Sequence, residues 1–457
     1  MAKHQLNSSM TEGFLPKQIF FFSLPLMLSN VLQVLFNMSD VAVVGRFAGS
    51  HALGAVGSTS ILVSLLITFL IGIGTGVNIM VARFLGARQD RETSLSVHTS
   101  FLICAASGLL LMGFSLLCAR PLLELLGTKE ELIGGAETYL RIYSLGLPAA
   151  AMYNFGNAVL SAAGDTRRPL YILSIAGVLN VLLNLLFVIV FHMAEAGVAL
   201  ASTISQCMSA ALVLILLFRS STIYALHLSL IKLDTAMAKR ILPLSLSAAA
   251  QNAIFAVANL FIQSGVNSFD TVIVEGTAAA TNADALCYDV MAAFYTACSS
   301  FMSQNYGAGK RKRVLQSYLI SLGFSFAVGA VIGLALEFFG LDFLALFTTD
   351  AAVADAGMMR LRVMGFSYAF SAFMDCTIAA SRGLGKSVVP TIIVVLGSCV
   401  FRVIWVYTIF AYFHTILSLY LLYIFSWSIT AIAEIAYFVH IFRRTELKAP
   451  LMAAVNS

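Results

Sequence analysis

Residues 19–44 read IFFFSLPLMLSNVLQVLFNMSDVAVV, an apolar stretch long enough to cross the roughly 30 Å hydrocarbon core of a bilayer at about 1.5 Å per helical residue. Its polar side chains are patterned. Asn30, Gln33, Asn37 and Asp40 are spaced three, four and three apart, so a helix gathers them on one face. A carboxylate at that depth costs several kcal/mol if charged and unpaired, so Asp40 faces a hydrated cavity, binds a cation or holds a proton. Lys3 and Lys17 ahead of the run resemble the start of a signal peptide. However, the run continues past Val31 without a small-residue cleavage site and reads as a first membrane span.

The rest of the chain repeats this character. Of 457 residues, 60% are hydrophobic and 11% charged, against roughly 25% charged in a globular protein, so lipid is the solvent. About twelve apolar runs of helical length follow one another, which excludes an outer-membrane barrel of short alternating strands. The expected fold is an all-α membrane protein of about twelve transmembrane helices. Most of the 27 Lys and Arg, among them Arg83, Arg88, Lys310, Arg311, Lys312, Arg313, Arg443 and Arg444, fall in loops on one side. By the positive-inside rule both termini are cytoplasmic, and the net charge of +5 is a topology signal, not a nucleic-acid surface. The seven cysteines show no metal-ligand spacing, so no metal and no cofactor are expected beyond a coupling ion.

An internal repeat organises the spans. Leu140, Arg141, Gly164 and Pro169 recur as Leu361, Arg362, Gly385 and Pro390, a shift of 221, and Leu24-Pro25-Leu26 recurs as Leu242-Pro243-Leu244 with a slip of three. Each half then holds six spans. An even number returns the chain to its starting side, so the halves form a parallel repeat about an axis normal to the membrane. The expected boundaries are a cytoplasmic tail at 1–17, an amino lobe at 18–218, a cytoplasmic linker at 219–239, a carboxy lobe at 240–444 and a second tail at 445–457. Internal duplication is a habit of secondary transporters more than of channels, which favours alternating access.

Further polar residues lie in the spans. Asn180 and Asn184 in the fifth span share a face, as do Ser202 and Gln206 in the sixth. Amide and hydroxyl oxygens beside one carboxylate suit a hard monovalent cation or a protonated Asp40. In the second half, Asp375, seven residues after Tyr368, aligns with Asn154 under the 221 shift and so departs from the repeat. Asp284 and Asp289 in the eighth span are further cavity candidates, with a pair to Arg402 or a hydroxyl as the alternative. Glu434 reads as a packing or interface charge near His440, Arg443 and Arg444. Pro25, Pro148 and Pro243 inside spans should kink them, making Pro25 and Pro243 hinge candidates, with Asn37 and Gln33 lining the cavity. Enzyme motifs fail: Gly385-Lys386-Ser387 resembles the end of a phosphate loop, but Ala380 and Ser381 precede it where the opening Gly belongs.

Together, Leu24-Pro25 with Asp40, Val81-Ala82-Arg83-Phe84-Leu85-Gly86-Ala87, Gly164-Asp165-Thr166 before Pro169, Ser303-Gln304-Asn305-Tyr306-Gly307-Ala308-Gly309 and Arg382-Gly383-Leu384-Gly385-Lys386-Ser387 resemble the bacterial branch of the multidrug and toxic compound extrusion (MATE) family. The resemblance covers nearly the whole chain. It implies two six-helix bundles opening alternately and an amino-lobe cation site on Asp40, Asn180, Asn184 and Ser202. Position 184, commonly Asp in that branch, is Asn here. A carboxy-lobe site with Glu in the seventh span and Asp in the tenth, used by another branch, falls on Gln251 and Asp375, so half of that pair is missing. Asp40 is therefore the expected principal coupling residue and Asp375 the second.

The function this implies is a monomeric antiporter of the bacterial inner membrane. It would exchange H⁺ or Na⁺ for small amphipathic, cationic organic compounds, with no nucleic-acid partner. The alternatives are a lipid-linked oligosaccharide flippase of the same superfamily, which should show a strongly cationic cavity where only Arg402 is a clear mid-span base, and a membrane sensor or scaffold without transport.

Overall fold

A computed structural model describes residues 10–445. Most of the two tails, and with them the cytoplasmic placement of the termini, lie outside the described residues. Within them the chain is helical with no strand.

Six spans make up the first half. They are Leu15–Val43, extended by a π-helical turn Val44–Ala48; Gly49–Gly86; Asp90–Leu125; a fourth in two pieces, Glu130–Ser144 and Leu147–Ala162; Arg167–Leu185 with a π turn Leu186–Val190; and Ala194–Phe218. The second half repeats the pattern with Thr235–Val266, Thr271–Gly307, Arg311–Leu344 and Ala351–Gly383, then an eleventh span of short pieces from Val388–Val394 to Ala411–Phe413, and finally Ile416–Arg444. Nine stretches among the described residues are long and apolar enough to cross a bilayer, the first of them running through spans one and two without a break. The fourth span, being divided, and the eighth, which carries Asn282, Asp284 and Asp289, are the two not among them.

Pro25 and Pro243 lie inside the continuous helices Leu15–Val43 and Thr235–Val266. Pro148 does not kink a helix. It opens the second piece of the fourth span after the break at Leu145-Gly146, where its missing N–H would have lacked a helical partner in any case.

The chain forms two compact units whose composition departs from the lobes expected at 18–218 and 240–444. One unit spans residues 28–249. The other joins residues 10–27, among those described, to 250–445. The first half of each lobe's leading helix therefore belongs to the opposite unit. In the first unit, Ile241 and Leu244 join the core with Ile73, Val77 and Met80. Gly72 and Gly76 make this approach possible: a Cβ on Gly76 would lie 2.2 Å from Ser245 Oγ and 2.6 Å from its backbone N, and one on Gly72 would lie 2.5 Å from Ala249 Cα. Ser245 Oγ donates to the Ile73 carbonyl at 2.9 Å, fixing the register. In the second unit, Leu15, Ile19, Phe22 and Leu26 pack with Phe294, Ala297 and Phe301, and Phe22 meets Phe301 edge-on at 5.4 Å. The linker expected at 219–239 is shorter, because the seventh span already starts at Thr235.

Candidate functional site

In the first unit, side chains of the fifth and sixth spans converge on Asp40 of the first. This residue lies three before Val43, the last α-helical residue of the first span, and Asn184 lies one before Leu185, the last of the fifth. Asn184 Nδ2 donates to Asp40 Oδ1 at 2.5 Å and Ser202 Oγ donates to Asp40 Oδ2 at 3.2 Å. A second tier supports them. Asn180 Nδ2 donates to Ser202 Oγ at 3.3 Å, and Asn184 Nδ2 is shared with Asn180 Oδ1 at 3.2 Å. Asn180, Asn184 and Ser202 are buried, and Asn184 Oδ1 is a buried acceptor with no hydrogen-bond partner among the described residues.

The four residues expected from the sequence are thus in mutual contact. A carboxylate, two amides and a hydroxyl on three helices supply the hard oxygen ligands a monovalent cation needs. The same set can hold a protonated Asp40, because an amide turned over presents its oxygen where its nitrogen was. Of the stripe on the first span, only Asp40 enters this cluster: Gln33 and Asn37 are exposed.

The second unit arranges its candidates differently. Asp284, expected to line a cavity, is half-buried and ion-paired. Arg360 Nη2 and Nε contact its Oδ2 at 2.5 and 3.1 Å, and the Tyr368 hydroxyl donates to Oδ1. Asp284 pairs with Arg360 and not with Arg402. Arg360 is buried, with its guanidinium carbon 5.2 and 5.3 Å from the Tyr420 and Tyr423 ring centroids. Tyr368 therefore serves Asp284, not Asp375. Asp289 is half-buried elsewhere on the eighth span.

Gln251 Oε1 accepts from Arg382 Nη2 at 2.8 Å. Arg402 donates to Ser426 at 3.3 Å and Asn259 at 3.2 Å and lies among the Tyr423, Phe255 and Trp427 rings. Asp375 is half-buried near these two arginines, whose charges act on it. Glu434, read as a packing or interface charge, is wholly buried, which fits the first of the two and not the second.

Sequence reasoning missed the burial of Arg360, Arg382 and Glu434. The repeat held part of the signal. Under the 221 shift Arg360, Asp375 and Arg382 stand where the first half has Tyr139, Asn154 and Ser161, so the second half carries charge where its counterpart is neutral.

These features define a multi-pass membrane transporter of duplicated architecture. The MatE family model matches the chain at residues 25–186 and again at 243–408, and the chain belongs to that family. The two matches begin at Pro25 and Pro243, the same pair the repeat aligns. Among its relatives, the probable multidrug resistance protein YpnP of Bacillus subtilis is 31% identical over 79% of this chain and 80% of its own length. A FAD transporter of Shewanella oneidensis is 25% identical over 76% of this chain and 77% of its own. A solved MOP superfamily transporter from Pyrococcus furiosus superposes with a TM-score of 0.90 at 21% identity, covering 97% and 99% of the two chains, a likeness of fold.

Proposed function

We propose that the protein is a cation-coupled antiporter of the bacterial cytoplasmic membrane, working as a monomer. H⁺ or Na⁺ binds at Asp40, Asn180, Asn184 and Ser202, and an amphipathic, cationic organic compound is expelled by alternating access. The observation that carries this reading is the convergence of Asn184 and Ser202 on the two oxygens of a single intramembrane carboxylate. The multidrug resistance relative lends it support. Antiport then needs reciprocity: a cation at Asp40 and a substrate that favour opposed states each lower the other's affinity. The inward field adds about 2.3 kcal/mol per charge per 100 mV to the drive.

The test is dye efflux from proteoliposomes with an imposed pH or Na⁺ gradient, comparing native protein with Asp40→Asn. Efflux lost in the variant supports coupling at Asp40, and the effective gradient names the ion. Gradient-independent efflux in both proteins overturns it.

A second reading is export of an anionic, ring-bearing compound. It is favoured by Arg382 and Arg402, two buried guanidiniums with no carboxylate within ion-pair distance among the described residues, and by the FAD transporter relative. Competition of dye efflux by flavin nucleotides but not by organic cations would select it.

A further inference from the structure

The twelfth span buries a carboxyl group that neither the cation site nor the fold accounts for. Glu434 is 0% exposed, and neither of its carboxyl oxygens has a hydrogen-bond partner among the described residues. Close by, Arg382, at the end of the tenth span, has a buried Nε–H that is equally unpartnered, while its Nη2 donates to Gln251 and, at 3.5 Å, to Thr391. The two are the strongest charge partners of one another, yet no salt bridge joins them. A buried guanidinium held by two neutral groups, with a free Nε–H, and an unsatisfied buried carboxyl whose charge acts on it are two halves of an ion pair left apart.

We propose that Glu434 is a second ion-binding site of the transport cycle, one that takes a proton: protonated, it leaves Arg382 on Gln251, and deprotonated, it draws Arg382 Nε–H onto its carboxylate. The proton is exchanged with water. Its O–H bond breaks, the electron pair stays on the Glu434 oxygen, and Arg382 neutralises it. The guanidinium excludes Na⁺ as the ligand, since a metal cation would have to sit against a fixed positive charge, whereas a proton needs one oxygen only.

The charged and titratable groups that reach Glu434 are Arg382 and Asp375 from the tenth span and Tyr437 on its own helix. The seventh and eleventh spans contribute the neutral Gln251 and Thr391 to the same arginine. The site rests on the cation-coupled reading above but involves none of the residues of the Asp40 cluster.

The experiment is pH-difference infrared spectroscopy of the full-length protein, following carboxylic acid C=O bands that shift in deuterated water, together with dye efflux driven by a pH gradient. The expected result is that Glu434→Gln removes one titrating band that Asp40→Asn leaves in place. Its efflux should fall roughly tenfold, in the range of a typical coupling between sites, and Glu434→Asp should restore part of it. An unchanged set of bands in Glu434→Gln overturns the proposal.

Where Glu434→Gln is not monodisperse, Arg382→Gln decides. Without the guanidinium the Glu434 band should stay protonated across the whole titration, and a band that titrates as in native protein refutes the switch. Failure of the Asp40 reading is separate: Asp40→Asn would then change neither bands nor efflux while the Glu434 band still titrates.

Discussion

Asn184 and Asp40 are 144 residues apart in sequence and 2.5 Å apart in space, Nδ2 to Oδ1, and the buried oxygen at the other end of the same amide has no partner among the described residues. Few residues are so specifically suited to reporting what occupies a carboxylate, because the amide can offer either its nitrogen or its oxygen to it.

Replacing Asn184 by Asp should therefore change the ion and not the fold. A second carboxylate within 4 Å of Asp40 raises the affinity for a metal cation and makes one of the pair retain its proton more firmly. We expect Na⁺-gradient efflux to rise relative to pH-gradient efflux by roughly tenfold, a change of about 1.4 kcal/mol in differential binding. Efflux ratios unchanged from native protein would count against direct ligation at this position.

Removing Ser202's hydroxyl is a milder change. Ser202→Ala deletes one donor to Asp40 Oδ2 and one acceptor from Asn180, each net bond being worth about 1 kcal/mol, more where the acceptor is charged. The half-saturating ion concentration should rise several-fold with maximal efflux retained, which a titration of efflux against ion gradient reads directly.

The Arg360–Asp284 pair should matter for stability. Both side chains are largely buried, at 5% and 18% exposure, so deleting one charge leaves the other unpaired, at a cost of about 3–5 kcal/mol in comparable buried pairs. Thermal unfolding in detergent should show Asp284→Asn and Arg360→Met each lowering Tm markedly and the double variant lowering it by less than their sum. Additive losses would show that the two do not act as a pair.

Gly76 offers a purely steric test. Gly76→Ala places a methyl against Ser245 Oγ and its backbone, which no rotamer change relieves, so the seventh span must move away from the second at a cost of about 1–3 kcal/mol. Gly57→Ala, whose Cβ would meet nothing within 4 Å, is the control and should behave as native in the same Tm measurement.

The contacts around Asp40 were legible in part: Asp40 is an acid inside an apolar run, and Asn180 and Asn184 share a face by spacing alone, whereas the grouping of these three with Ser202 came from the family resemblance. The carboxy lobe was harder for a physical reason: Arg382 lies at the end of its helix, where a long cationic side chain ordinarily reaches water, and Arg360, nine residues inside the same helix, is held inward by packing that spacing does not show. Glu434 misled in the same way, since its helix ends in Arg443 and Arg444 and spacing alone cannot tell which acid they attract. The exchange of helix halves between units left no periodic signature, because an apolar face suits either neighbour equally well.

That exchange has a consequence for synthesis of the chain. The core containing Ile73, Val77 and Met80 is closed by Ile241 and Leu244, so translation must pass the linker before the first six helices can finish folding. The segment from Leu15 to Leu26 must in turn wait for Phe294 and Phe301. Neither half is a self-sufficient product, and a nascent chain arrested at the linker would offer the membrane an unfinished surface for quality control to recognise.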